Sequence, residues 1–293
     1  MTSESVKSTN RFVVIGAGSW GTALAIQLSR AGNDVALWGR DAAHCAEMMT
    51  AGTNEKYLPG SVFPDNLSVV ADLGKATKDA EYMLISVPSH AFRDILLQLQ
   101  SLLGSRLASV KLCWATKGFE LSTGALPHQV VQQVLPTCQD YAVVSGPTFA
   151  LEVGAGLPTA ITVAGANEEW SVELASLLRT KTFIAYTSQD IVGVEIGGAV
   201  KNALAIGAGL SDGLGFGANA RIALINRGLR ELSRLGVAMG ASSETFVGLA
   251  GMGDLVLTCT DNQSRNRRMG LALAAGKTID EAAEEIGQVV EGI

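Results

Sequence analysis

The stretch RFVVIGAGSWG, Arg11 to Gly21, limits the fold more than any other part of the chain. Phe12, Val13, Val14 and Ile15 read as a buried strand. They run straight into Gly16, Gly18 and Gly21, spaced G-x-G-x-x-G, and the helix-like segment SWGTALAIQLSRAG follows. Between a strand and a helix the three glycines have separate tasks. The first makes a tight turn, the second lets backbone approach a pyrophosphate, and the third lets helix pack on strand. The phosphates then face the amino end of the helix. A bare βα turn uses such glycines too, but the flanking strand and helix favour a dinucleotide.

The texture up to Ser188 supports that frame. Eight strand-like runs follow one another: RFVVIG, DVALWG, LSVVAD, YMLISVP, KLCWATKG, YAVVSGP, TAITVAG and TFIAYTS. Helix-like segments separate most of them, which predicts βαβ units and a mainly parallel sheet. TNEKYLPGSVFPDN breaks the rhythm with two prolines and reads as a surface loop. Beyond Ser188 the pattern is helical throughout. A length of 293 residues suits two domains, which we expect at 11–188 and 189–293.

Composition excludes some classes. A net charge of -6 argues against nucleic-acid binding. Cys45, Cys113, Cys138 and Cys259 lie far apart with no C-x-x-C, so we expect reduced thiols and no metal site. MTSESVKSTN has no apolar core of a signal peptide, which points to the cytoplasm. Val194 to Leu210 is apolar but holds Glu195 and Lys201, so it reads as a buried helix and not an integral membrane span.

Candidate site residues gather at predicted strand ends and helix starts. The second strand ends LWGRD, where an acid for the ribose is usual. Arg40 holds the likely position with Asp41 just beyond, so NADPH is favoured over NADH; a solvated Arg–Asp pair is the alternative. His90, after ISVPS, tempts as a base, but a lone His beside a turn is more often structural, and His44 and His128 have less claim. Lys117 in WATKG, and Gly146 and Thr148 in SGPTFA, offer polar groups at strand carboxyl ends. On a helix, Val194, Gly198, Lys201, Ala205 and Ala208 share one stripe, placing a lysine among small residues that admit another element or a ligand. Such a lysine is either a proton-transfer group or one that snorkels outward. In GMGDLVLTCTDNQSRNRRMG, Ser264 can cap a helix whose start, with Arg265 and Asn266, would hold an anion; Asp254 lies shortly before.

Taken together, VIGAGSWGTALA, WATKG, SGPTFA, GGAVKNALAIGAG and GLAGMGDLVLTCTDNQSRNRR resemble bacterial NAD(P)-dependent glycerol-3-phosphate dehydrogenases, in order, from about residue 11 to the end. The resemblance implies an α/β N-terminal Rossmann domain followed by an all-α C-terminal domain, 6-phosphogluconate dehydrogenase-like. It implies reversible reduction of dihydroxyacetone phosphate to sn-glycerol 3-phosphate for phospholipid synthesis, commonly by a homodimer. The implied NADP or NAD contacts are Ser19, Trp20, Arg40, Lys117, Ala150, Arg265, Val289 and Glu291, beside the glycines of the turn. The implied substrate contacts are Lys117, Gly146, Thr148, Lys201, Asp254, Ser264, Arg265 and Asn266, with Lys201 moving the proton. The chain stops at GQVVEGI, where the resemblance leads us to expect a further helical tail, so the C-terminal domain reads as truncated. Two rivals stand beside this reading. A dehydrogenase of β-hydroxyacids would also use a helix lysine near an asparagine, as in Lys201–Asn202, but SRNRR favours a phosphorylated substrate. A non-catalytic NAD(P)H-binding protein would not need Lys201 on its small-residue stripe.

Overall fold

The computed structural model describes residues 10–287, 289, 290 and 292. Its first element is β1 (Arg11–Ile15), whose last four residues are buried, followed by α1 (Ser19–Arg30) and β2 (Asp34–Trp38). Next come α2 (Ala42–Ala51), a hairpin of β3 (Thr53–Asn54) and β4 (Leu58–Val62), β5 (Leu67–Val70), α3 (Leu73–Thr77) and β6 (Tyr82–Ile85). Then follow α4 (Ser89–Leu103), β7 (Lys111–Trp114), α5 (Pro127–Val134), β8 (Tyr141–Ser145), α6 (Ala150–Ala155), β9 (Thr159–Gly165), α7 (Glu168–Leu178) and β10 (Phe183–Ser188). From α8 (Ile191–Gly213) onward only helices occur among the described residues: α9 (Gly217–Ala238), a π-helical turn at Leu249–Gly253, α10 (Asp254–Thr260), α11 (Arg265–Ala274) and α12 (Ile279–Ile286), with a short 3-10 turn after α9.

Eight strands form one sheet in the order β10-β9-β8-β7-β6-β1-β2-β5. Every neighbouring pair is parallel except β8 with β9. All four residues of β6 are buried, as a strand covered by helices on both faces requires. The strand order reverses between β1 and β6. In such sheets ligands usually sit at that point, beyond the strand carboxyl ends.

All eight strand-like runs of the sequence are strands of this sheet. TNEKYLPGSVFPDN, expected to be a surface loop, instead contains the β3–β4 hairpin. Its Asn54 is fully buried, and Nδ2 donates to Ala17 O at 3.0 Å and to Thr22 Oγ1 at 2.8 Å. The hairpin thus braces the glycine turn. Its glycine and prolines mask the strand signal, and a tertiary contact holds it.

Helix α8 has the length and hydropathy to cross a membrane, yet 61% of its most apolar window is buried within the fold. It packs against α9, α10 and α11. Its small residues explain how closely they approach. A Cβ on Gly197 would lie 2.4 Å from Ala250 O, and one on Gly209 would lie 2.1 Å from Arg267 O. All four cysteines are buried and free.

Candidate active site

The glycine turn meets its three demands separately. Gly16 adopts φ +120°, and a Cβ there would stand 2.3 Å from Ser86 O. A Cβ on Gly21 would stand 1.9 Å from Gly16 O, so only glycine lets α1 seat on the turn. Gly18 is exposed and has nothing within 4 Å of a built Cβ, leaving its backbone open to a ligand. Gly18, the N-cap of α1, has no side chain to bond the first turn, and the amino end of the helix lies at that open side. Ser19 and Trp20 begin the helix half-buried. This cradle fits a pyrophosphate, held on backbone amides at the amino end of α1.

At the end of β2, Arg40 is exposed. Asp41 is committed elsewhere: its Oδ1 accepts from Ala43 N at 3.0 Å and His44 N at 3.2 Å, capping α2. The acid beyond Arg40 therefore serves the helix. His90 lies exposed on α4, and His44 packs edge-on against the Tyr57 ring.

The sheet and the helices meet at a buried carboxylate. Lys117 rises from the loop after β7, Lys201 projects from α8, and Asp254 opens α10. Asp254 Oδ2 accepts from Lys117 Nζ at 2.7 Å, and Oδ1 accepts from Lys201 Nζ at 2.7 Å. Lys201 Nζ also donates to Thr258 Oγ1 at 2.9 Å, and that hydroxyl donates in turn to Asp254 O at 2.6 Å. Burial alone would push the Asp254 carboxyl up, but the two ammonium groups more than offset it and hold it below the ordinary carboxylate range. The small-residue stripe around Lys201 is real, with Val194, Gly198, Ala205 and Ala208 all buried. Yet small residues are not its whole setting, because α10 lays Asp254 and Thr258 against the ammonium. Gly198 has a second use: a Cβ there would lie 3.3 Å from the Lys117 Cγ and Cδ atoms, so the glycine gives that side chain its path.

Helix α11 brings the anion-binding candidates alongside. Ser264 is its buried N-cap and accepts from Arg267 N at 3.2 Å, while Arg265 is half-buried in the first turn. Asn266 Nδ2 donates to Asn202 Oδ1 on α8 at 2.9 Å. This start is not a solvated basic surface, since Ser264, Asn266 and Arg267 are all buried. Gly146 takes φ +154° after β8, and Thr148 Oγ1 donates back to its carbonyl at 3.3 Å. Ala150 starts α6, half-buried. Near the chain end Val289 is 50% exposed, and Gly292 N donates to Asn266 Oδ1 at 3.2 Å. Glu291 lies outside the described residues.

Residues 11–171 match the family described as NAD-dependent glycerol-3-phosphate dehydrogenase N-terminus, and residues 190–293 match its C-terminus. The chain belongs to this family. A curated glycerol-3-phosphate dehydrogenase (NAD(P)+) of Idiomarina loihiensis is 53% identical, over 97% of this chain and 85% of the relative. One from Vibrio cholerae is 55% identical, over 95% of this chain and 80% of the relative. The crystal structure of a glycerol-3-phosphate dehydrogenase from Coxiella burnetii superposes with a TM-score of 0.92 at 46% identity, over 97% of this chain and 86% of that one. The Rossmann-like sheet followed by helices is therefore the architecture of the glycerol-3-phosphate dehydrogenases. Within that architecture sequence reasoning missed Thr258. Its position four residues after Asp254, on one helix face, was the available signal.

Proposed function

We propose that this chain catalyses reversible NAD(P)H-dependent reduction of dihydroxyacetone phosphate to sn-glycerol 3-phosphate, a precursor of phospholipids. The paired lysines on Asp254 carry the reading. They place two cations where the sheet's ligand crevice meets the helical domain, whose boundary we set at 188/189. A triose phosphate needs a cation at its carbonyl and an anion site at its other end. The start of α11 suits the phosphate: the Ser264 hydroxyl, the Arg265 guanidinium and the Asn266 amide are donors on one helix turn.

When bound, the nicotinamide cofactor supplies the hydride. The turn of Gly16, Gly18 and Gly21 would hold its pyrophosphate, with Ser19, Trp20, Lys117, Ala150, Arg265, Val289 and Glu291 along its length. Arg40 would hold a 2′-phosphate and so favour NADPH. Lys201 as ammonium stabilises charge growing on the carbonyl oxygen and delivers its Nζ proton there; in the oxidising direction neutral Lys201 is the base. Asp254 and Thr258 fix the direction of Nζ. Lys117, Gly146 and Thr148 line the sheet side of the substrate. Exposed Phe216 and Ile222, 66% and 56% accessible, support a homodimer. The reading is tested by NADPH absorbance with dihydroxyacetone phosphate against unphosphorylated dihydroxyacetone and a panel of ketoacids. Charge-assisted bonds of roughly 1.5–3 kcal/mol each to the phosphate predict a large preference for the phosphorylated triose. Equal rates on both trioses would refute the anion site.

A further inference from the structure

Six residues before Lys201, α8 carries Glu195, whose side chain is 1% exposed. Its carboxylate reaches out of the helical domain into the sheet domain. Oε1 accepts from Trp114 Nε1 at 3.1 Å and from His128 N at 2.9 Å, and Oε2 meets His128 Nδ1 at 2.5 Å. Trp114 is the last residue of β7, three before Lys117. His128 sits in the first turn of α5. A buried carboxyl group with no bonds would be strongly unfavourable, and here two N–H donors, Trp114 Nε1 and His128 N, and the His128 ring nitrogen, all from the other domain, hold it.

These contacts close a ring. From β7 the chain leads to Lys117, which binds Asp254; Asp254 binds Lys201; α8 leads back through Glu195 to Trp114. Lys117 and Lys201 are thus set against each other at two points, Asp254 and Glu195. A helix is stiff along its axis, so a shift at Glu195 carries to Lys201, about 9 Å further on at 1.5 Å per residue.

We propose that Glu195 is a positioning residue for the reaction: its reach to Trp114 and His128 sets where α8 stands against β7, and thereby where Lys201 presents its Nζ atom. This rests on the reading of Lys201 as the proton-transfer group. What matters is the length of the side chain more than its charge. Glutamine keeps the length and the Oε1 acceptor, and its amide donates to a neutral His128. Aspartate keeps the charge but falls short by about 1.5 Å, one C–C bond. To keep its bonds α8 must move, and an error of about 1 Å in placing a reacting group costs on the order of a hundredfold.

The test compares Glu195→Gln and Glu195→Asp, alone and combined with Lys201→Met, for kcat, KM for NADPH and melting temperature. We expect Glu195→Gln to keep kcat within about threefold and Glu195→Asp to lose tenfold or more, with KM for NADPH unchanged because the glycine turn is remote. On the Lys201→Met background the aspartate should cause no further loss, as coupled residues are not additive. A normal kcat in Glu195→Asp overturns the proposal. So does an equal loss in Glu195→Gln, which shows that keeping the side-chain length does not preserve the reaction, or a full extra loss on the Lys201→Met background. If Lys201→Met alone turns over normally, the reading of Lys201 fails, and that is visible before any Glu195 comparison. Should Glu195→Asp melt below the assay temperature, His128→Asn removes the ring contact from the sheet side and must show the same kcat loss and the same non-additivity.

Discussion

Asp254 and Lys201, 53 residues apart in sequence, face each other at 2.7 Å with the carboxylate 1% exposed. The carboxylate's second oxygen holds Lys117. One anion thus serves two cations, so the cluster carries net positive charge, which in the proposed reaction would face the carbonyl oxygen as it gains negative charge. Removing the anion and removing a cation should fail in different ways.

Asp254→Asn leaves the buried Lys201 ammonium and the half-buried Lys117 ammonium facing an amide. Breaking a buried ion pair costs about 3–5 kcal/mol, so the variant should melt well below the parent at neutral pH. Turnover should fall by roughly a hundredfold, because neither lysine keeps its aim. The acid dependence carries a sign. Asp254 is held below its ordinary range, so the folded chain binds this proton less readily than the unfolded chain. Its contribution is complete above the unfolded value of about 4 and is lost as pH falls through the folded value. Melting curves between about pH 5 and 3 should therefore fall less steeply for Asp254→Asn than for the parent. Parallel slopes would remove Asp254 from the acid response.

The contrast between these contacts and the sheet shows what the sequence could disclose. Val14 and Leu84 belong to apolar runs whose length and flanking turns mark strands, and both are buried in β1 and β6. The crossing of α8 by α11 was half-legible: the small residues announced a close neighbour but not which one. The pairing of Lys201 with Asp254 and Thr258 left no local trace, since it depends on where α10 docks. The same holds for Glu195, which stood out as a charge in an apolar helix while its partners, Trp114 and His128, lay 81 and 67 residues away. The β3–β4 hairpin was hidden because Asn54 is held by the glycine turn and not by a strand pattern.

Two glycines on α8 give a stability test. A Cβ on Gly209 would meet Arg267 O at 2.1 Å, whereas one on Gly207 meets only Leu224 Cδ2 at 3.5 Å. Gly207→Ala should be neutral or stabilising by up to about 1 kcal/mol from helix propensity. Gly209→Ala must push α11 away, at about 1–3 kcal/mol, and each kcal/mol lowers the melting temperature by about 2–4 °C in a chain this long. Because α11 carries Ser264, Arg265 and Asn266, KM for dihydroxyacetone phosphate should rise as well. Equal melting of the two variants would contradict the tight crossing.

We expect Arg40 to decide between the cofactors. It is exposed and Asp41 is occupied as a helix cap, so neither side chain offers a settled acceptor for a ribose hydroxyl. Arg40→Ala should weaken NADPH binding by roughly ten- to a hundredfold, the equivalent of one charge-assisted contact, and leave NADH within about twofold. Fluorescence titration of both nucleotides reads this directly. The NADPH affinity of the parent should also fall more steeply with salt than the NADH affinity. A joint loss of both affinities would make Arg40 a structural residue.

Lys201→Met removes the proton and keeps the length of an apolar stem. Asp254 retains Lys117 in that variant, so the carboxylate is not left alone and the fold should survive with only a modest fall in melting temperature. The glycine turn lies on the other domain, so NADPH affinity should be unchanged. Thr258 is the remaining proton carrier beside the vacated position, but its hydroxyl already donates to Asp254 O at 2.6 Å. Asp254 is ionised over the working pH range and has no proton to give. No group in contact with Lys201 Nζ through these bonds can therefore replace it. Transfer by a positioned group is worth about a hundred- to ten-thousandfold, and kcat should fall by that order. Lys201→Arg should be nearly as poor, because a guanidinium does not release its proton in the working range. Measuring kcat, melting temperature and NADPH affinity on the same preparations separates the outcomes. Near-normal turnover in Lys201→Met would remove the lysine from the chemistry, while a collapsed melt would make its pairing with Asp254 structural.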